Sequence, residues 1–206
     1  MKLEGTTLDI YQVTDELGRG GMGAVYRATS TADGPAGPAG TEVAIKALHA
    51  ELGAQERQVA RFEREGEIGQ ALAHPNVVRT YAAGVAEVEG APCHYMVLEY
   101  VEGQTLDDLQ DELGVVPDHL LYLIGDQALA GLQAIHEHGV IHRDIKPENI
   151  VITTSHKVLI MDLGIARMTT QGHTLTESGE FVGSLHYAAP EQLDTEAEIG
   201  EPCDLY

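Results

Sequence analysis

One carboxylate constrains this chain more than any other residue. Residues 55–73 place Val59, Phe62, Ile68 and Leu72 at helical spacing, and Glu65 falls on the same apolar stripe, three residues from both Phe62 and Ile68. A carboxylate on a buried face is costly unless a cation meets it. The segment before it supplies one. Residues 41–48, TEVAIKAL, read as a strand with Val43, Ile45 and Ala47 on one face and Ala44, Lys46 and Leu48 on the other. Lys46 is the natural partner of Glu65. Lysine is scarce here, with only Lys2, Lys46, Lys146 and Lys157, so its position inside an apolar strand carries weight.

The rest of the chain divides by character. Residues 8–29 alternate and carry glycines, which suggests a hairpin, and the Pro/Gly/Ala run 31–40 reads as a flexible connection. Residues 77–82 and 94–101 read as strands. Asp118 is placed to cap a helix running to His138, with Leu121, Ile124, Ala128, Leu132 and Ile135 on one face, and Gly139 ends it. The first hundred residues are strand-rich and the next forty helical. The expected class is α+β, in two lobes.

Composition removes several functions. With 33 acidic and 12 basic residues the chain carries a formal charge of −21, which argues against nucleic acid and anionic membrane surfaces as partners. Its two cysteines, Cys93 and Cys203, form neither a disulfide framework nor a zinc pattern, and a reducing compartment is expected. The N-terminus has no signal-peptide core, and no apolar run reaches the roughly 20 residues of a membrane span.

Three further groups of residues suggest chemistry. Gly18, Gly20 and Gly23 in GRGGMG let a backbone approach phosphates closely. The loop runs on into the strand-like AVYRA rather than a helix, which favours a hairpin lid over a dinucleotide site. Ile150–Ile152 and Val158–Ile160 can pair antiparallel, which sets Asn149 opposite about Met161 and beside Asp162. An amide oxygen and a carboxylate so placed suit a hard cation such as Mg²⁺ with phosphates. Asp144, five residues before Asn149, could then accept a proton from a hydroxyl nucleophile. His136, His138 and His142 offer a metal-site alternative, but His-x-His spacing fits a strand better than the helix expected there.

Taken in order, GRGGMGAVY, VAIK, HRDIKPEN, DLG and Ala189-Pro190-Glu191 make the chain similar to the eukaryotic-type serine/threonine protein kinases, and most similar to their bacterial members. The resemblance runs from about Ile10 to Tyr206. It implies a two-lobed kinase fold: a β-rich N-lobe at 10–101 and an α-rich, incomplete C-lobe at 102–206. It implies ATP and Mg²⁺ as cofactors and transfer of the γ-phosphoryl group to Ser/Thr hydroxyls of protein substrates, with self-phosphorylation among the expected reactions. Gly18, Gly20 and Gly23 would cover the phosphates, and Lys46, paired with Glu65, would hold them. Asp144 would be the catalytic base, Lys146 would lie near the transferred group, and Asn149 and Asp162 would bind the metal. Val25 and Ala44 would line the adenine pocket, Leu98 would guard its rear, and the backbone of Glu99 and Val101 would meet the base.

The resemblance also implies an activation segment between Asp162 and Glu191. Phosphorylation at Thr176 or Ser178 would order it through Arg143. Leu163 replaces the usual aromatic, Ser184 stands where Thr is common, and Gly69 stands where a larger apolar residue often packs, so the Glu65 helix is expected to sit loosely. The family continues beyond the point matching Tyr206, which makes the chain resemble a fragment of a cytoplasmic protein or of the cytosolic part of a membrane-anchored one. The alternative function is an inactive truncated kinase or pseudokinase that binds ATP or protein.

Overall fold

A computed structural model describes residues 2–163, 185–194 and 196–206. The chain forms two compact units, one of residues 1–73 and 79–101, the other of 74–78 and 102–206.

The first unit is a six-stranded antiparallel sheet with one main helix. Its strands are β1 (Thr7–Leu8), β2 (Tyr11–Arg19), β3 (Gly23–Ser30), β4 (Glu42–Leu48), β5 (Thr80–Val88) and β6 (Ala91–Glu99), in the order β1-β2-β3-β4-β6-β5. The short α1 (Ala50–Gly53) and the longer α2 (Glu56–Ala71) lie between β4 and β5 in sequence. Strand alternation sorts the two faces. Val43, Ile45 and Ala47 join Tyr11, Tyr26, Tyr95 and Val97 in one core, while Leu48 and Met96 meet Phe62 of α2 on the other side. Burying these side chains contributes about 1.5–3 kcal/mol for each large one.

Three expectations are corrected here. The strands read at 77–82 and 94–101 are one hairpin, 80–88 paired with 91–99, turning at Glu89-Gly90. The run 31–40 is a hydrogen-bonded turn rather than a loose connection. Gly34 and Gly37 exchange amide-to-carbonyl bonds of 2.8 and 3.0 Å, and Asp33 Oδ1 accepts from the Ala39 amide at 3.0 Å. Helix α2 is not loosely seated. Gly66, buried against the sheet, lies so close to β5 that a Cβ there would be 2.9 Å from that of Ala83.

The second unit pairs β7 (Gly103–Thr105), β8 (Ile150–Thr153) and β9 (Val158–Ile160) in one small sheet, with α3 (Leu106–Leu113), α4 (Asp118–Glu137) and the short α5 (Pro190–Leu193). Ile150 pairs with Ile160 and Ile152 with Val158, the register expected from the sequence. Ile150, Ile152 and Val158 pack on Ile124 of α4 and on Val116.

Two details of α4 differ from expectation. Pro117, not Asp118, occupies the cap position, and no side chain caps the helix. Leu121 is exposed, so the buried face runs through Ile124, Leu132 and Ile135, with Gly131 beside them. Gly139 ends the helix in the left-handed conformation, at φ 70°. Residues 74–78 lie along β9: Ile160 donates to the Asn76 carbonyl, and Val78 donates to the Ile160 carbonyl, each at 2.9 Å. Asn76 Nδ2 also donates to the Val158 carbonyl at 2.8 Å.

Candidate active site

In the first unit the sheet register brings several predicted residues to one face. Val25 pairs with Lys46, and Ala44 pairs with Leu98, all on the face opposite the aromatic core. Lys46 Nζ donates to Glu65 Oε1 at 2.7 Å, with both side chains largely buried. The expected pair is therefore formed between strand β4 and helix α2, and the close approach at Gly66 seats the helix that carries Glu65.

The glycines are positioned for different reasons. Gly18 has open space where a Cβ would lie, and a Cβ on Gly20 would meet only the Gly23 carbonyl oxygen, at an unstrained 4.0 Å. A Cβ on Gly23 would collide with the Ala47 carbonyl on the neighbouring strand, so this glycine is also demanded by sheet packing. Gly20 donates to the Gly23 carbonyl at 2.8 Å, and His49 holds the Gly20 carbonyl through Nε2 at 2.9 Å. The Glu99 amide donates to the Arg79 carbonyl at 2.8 Å, and half-buried Val101 ends the unit.

In the second unit the hairpin β8–β9 sets its flanks together. The Met161 amide donates to the Asn149 carbonyl at 2.9 Å, which brings Asn149 alongside the start of the Asp162 segment. Asn149 Nδ2 donates to the Asp144 carbonyl at 2.8 Å and to Asp144 Oδ2 at 3.1 Å. Lys146 Nζ lies 3.8 Å from the same carboxylate oxygen. Asp144 is thus held by an amide and a cation, and its side chain stays partly exposed. With its amide nitrogen committed to Asp144, Asn149 offers its amide oxygen as a ligand. That oxygen and the exposed Asp162 carboxylate are of the donor types that a hard divalent cation takes.

The loop that carries Asp144 is held by a residue the sequence analysis missed. Asp204, with no side-chain exposure, accepts from the His142 amide at 2.7 Å and the Arg143 amide at 2.6 Å. His136 Nε2 meets Asp204 Oδ2 at 2.8 Å, and the Cys203 thiol donates to Oδ1 at 3.6 Å. These bonds hold Arg143 at φ 63°, a conformation that side chains other than glycine adopt at a cost. Gln192 adds a donor to the Arg143 carbonyl at 2.8 Å. Burial drives the Cys203 thiol up to about 12, with the Asp204 charge adding to it, so that thiol stays neutral.

His142 is fully buried. Its Nε2 is 3.0 Å from the Met161 carbonyl, and its Nδ1 accepts from the Asp144 amide at 3.3 Å. One nitrogen donates and the other accepts, which is the neutral ring. Burial also pushes its pKa below the ordinary value. The three histidines considered as a metal site each have their own partner: His136 meets Asp204, His138 meets the Ala134 carbonyl and His142 meets Met161. Thr176, Ser178 and Ser184 lie outside the described residues. Arg143 is described, and its buried Nε has no hydrogen-bond partner among the described residues.

A family model described as the protein kinase domain matches residues 11–206. The chain is 38% identical over 200 residues to the serine/threonine-protein kinase PknB of Mycolicibacterium smegmatis, covering 96% of this chain and 31% of that relative. It is 37% identical over 199 residues to a probable serine/threonine-protein kinase of Streptomyces coelicolor, covering 95% of this chain and 28% of the other. The chain therefore spans under a third of the length of these relatives. Among solved structures, the PknI kinase domain of Mycobacterium tuberculosis superposes with a TM-score of 0.71 at 29% identity, over 100% of this chain and 72% of that one.

Proposed function

Since the chain belongs to the protein kinase family, we propose that it transfers the γ-phosphoryl group of ATP to Ser or Thr hydroxyls of protein substrates. In that reaction the hydroxyl oxygen attacks the γ-phosphorus in line. The new O–P bond forms as the bond to ADP breaks, and Asp144 takes the hydroxyl proton. Lys46, fixed by Glu65, would bind phosphate oxygens, and the amides of the glycine loop at Gly18, Gly20 and Gly23 would face them. Bound Mg²⁺, ligated by Asn149 and Asp162, would neutralise phosphate charge. Val25, Ala44 and the backbone of Glu99 and Val101 would hold the adenine, and Lys146 would lie by the transferred group.

The observation that carries this reading is the Asp144 carboxylate, held by Asn149 Nδ2 at 3.1 Å with Lys146 at 3.8 Å. A carboxylate so oriented and still partly open can receive a proton from an incoming hydroxyl. Regulation by phosphorylation at Thr176 or Ser178 belongs to the same proposal, and the unmatched donor on Arg143 supports it. Among the described residues no helix is long and apolar enough to cross a membrane. A cytoplasmic site suits an ATP-dependent chain with two free, buried cysteines.

The test is phosphotransfer from radiolabelled ATP to a Ser/Thr-containing protein and to the chain itself, with Asp144→Asn as the blank. Label in the parent and none in the blank is expected. Equal label in both would remove Asp144 from the chemistry. A thermal melt separates binding from turnover. Mg·ATP at a hundred times its Kd should add about 2.7 kcal/mol to the parent, and much less to Asp162→Ala. Phosphopeptides lacking both Thr176 and Ser178 as modified sites would count against the regulatory part.

A further inference from the structure

A histidine outside the proposed machinery holds the tip of the glycine loop. His49 follows β4 and stands at the cap position of α1, yet its side chain does not cap that helix. Its backbone is fixed on both sides. The His49 amide donates to the Met22 carbonyl at 3.0 Å, and the His49 carbonyl accepts from the Leu52 and Gly53 amides, each at 2.9 Å. The half-buried ring reaches the loop between β2 and β3, where Nε2 lies 2.9 Å from the Gly20 carbonyl oxygen. A carbonyl oxygen only accepts, so Nε2 carries the hydrogen, as it does in one neutral tautomer and in the imidazolium.

Two loop carbonyls therefore end on one residue, and this fixes where the loop amides point. In a trans peptide unit the C=O and the N–H are antiparallel, and the described chain has no cis peptide bond. With the Gly20 carbonyl on the His49 ring, the Gly21 amide points away from that ring. With the Met22 carbonyl on the His49 amide, the Gly23 amide points away from β4. The Gly21 amide makes no hydrogen bond among the described residues, and Gly21 is exposed, so this N–H is open to a ligand. Aimed backbone N–H groups are what a loop of this kind offers an anion. Aim is otherwise hard to keep here. The peptide unit between Gly20 and Gly21 has a glycine on each side, and glycine's wide conformational range lets such a unit turn over at little cost. A side-chain bond to its carbonyl removes that freedom.

We propose that His49 is a positioning residue for the nucleotide phosphates. Its Nε2–H fixes the Gly20–Gly21 peptide so that the Gly21 N–H is set to meet a phosphate oxygen of ATP. β4 then serves the phosphates twice, through Lys46 on the strand and through His49 just beyond its end. The inference deepens the phosphotransfer reading and rests on it.

The test is a calorimetric titration of the intact chain with Mg·ATP and with adenosine, which carries the base and ribose but no phosphate. His49→Phe keeps a ring and removes the donor. His49→Gln keeps an N–H donor at about the reach of Nε2. Neither change touches the backbone bonds of His49 to Met22, Leu52 and Gly53, so the corner between β4 and α1 is retained. His49→Phe should weaken Mg·ATP binding about three- to tenfold, the scale of one net hydrogen bond, and leave adenosine within about twofold. His49→Gln should bind both within about twofold of the parent.

Unchanged Mg·ATP affinity in His49→Phe would overturn the proposal. An equal loss for adenosine would also overturn it, because the effect would then be a general disturbance of the fold. Failure of His49→Gln to restore affinity would remove the donor as the cause. A parent chain that binds no Mg·ATP would overturn the phosphotransfer reading together with this inference, an outcome that the parent titration alone reveals.

Discussion

The two units hold their reactive groups by different means. In the first, Lys46 is held by an ion pair to a helix, at 2.7 Å from Glu65 Oε1. In the second, the loop bearing Asp144 is fixed by its own backbone, through two amides that end on the buried carboxylate of Asp204. An ion pair between side chains depends on two side-chain conformations, and the Lys46 side chain keeps 15% exposure to water. A backbone held by a carboxylate with no exposure has no such alternative. The first arrangement is adjustable, and the second is rigid.

The strongest way to break this contrast is to remove each anchor in turn. Asp204→Ala would leave the His142 and Arg143 amides and His136 without their acceptor, and release the strained backbone at Arg143. A loss of about 3–5 kcal/mol is expected, the scale for removing one partner of a buried charged network. Glu65→Ala should cost less, about 1–3 kcal/mol, because the Lys46 side chain keeps 15% exposure and can reach solvent. Denaturant melts of both variants check the order. Equal losses would show that the ion pair is as structural as the carboxylate.

Glycines in the two main helices sharpen the contrast at a smaller scale. Gly66 of α2 has the Ala83 Cβ 2.9 Å from where its own would be, with Met96 Sδ at 3.4 Å. Gly66→Ala should therefore cost about 1–3 kcal/mol through overpacking and push Glu65 away from Lys46. Phosphotransfer at low ATP should then fall more than the melt alone accounts for. Gly125 of α4 has nothing within 4 Å of that position. Gly125→Ala should stabilise the chain by about 0.5–1 kcal/mol, through helix propensity. A neutral Gly66→Ala would mean that α2 can shift without strain.

What could be read from the sequence follows from the same distinction. The Lys46–Glu65 pair was legible because a charge on an apolar stripe demands an answer, and the apolar strand before the helix carries a lysine. The β8–β9 register was legible because two three-residue apolar runs permit few pairings. Asp204 was not legible. It lies 62 residues from the His142 amide it binds, and no local period tells a carboxylate which backbone it will meet. The β5–β6 hairpin was misread because its edge strand, TYAAGVAEV, is built of small residues with little alternation in size. Asp118 was misread as a cap because it is a good capping residue one position too late, after a proline whose fixed φ of −62° already starts the helix. The role of Gly66 depends on how near a strand distant in sequence approaches, which spacing along the chain cannot give.

The smallest effect is also the most specific to the second unit. His142 accepts from the Asp144 amide through Nδ1 while its Nε2 faces the Met161 carbonyl. Protonation would place an N–H against an N–H and remove that amide's acceptor. Burial, the main cause, lowers the folded-state pKa below the ordinary 6.5, partly opposed by the Met161 carbonyl and nearby carboxylates. The unfolded chain therefore binds this proton first as the pH falls. The contribution to stability is complete above about 6.5 and is lost as the pH falls toward the depressed folded value, at up to about 1.4 kcal/mol per pH unit. Denaturant melts between pH 7 and 5 should show this slope, and His142→Gln, which retains a donor and an acceptor without a titrating proton, should flatten it. If the parent and the variant lose stability in parallel, acid acts elsewhere, and the rigidity of the Asp144 loop rests on Asp204 without help from the buried imidazole.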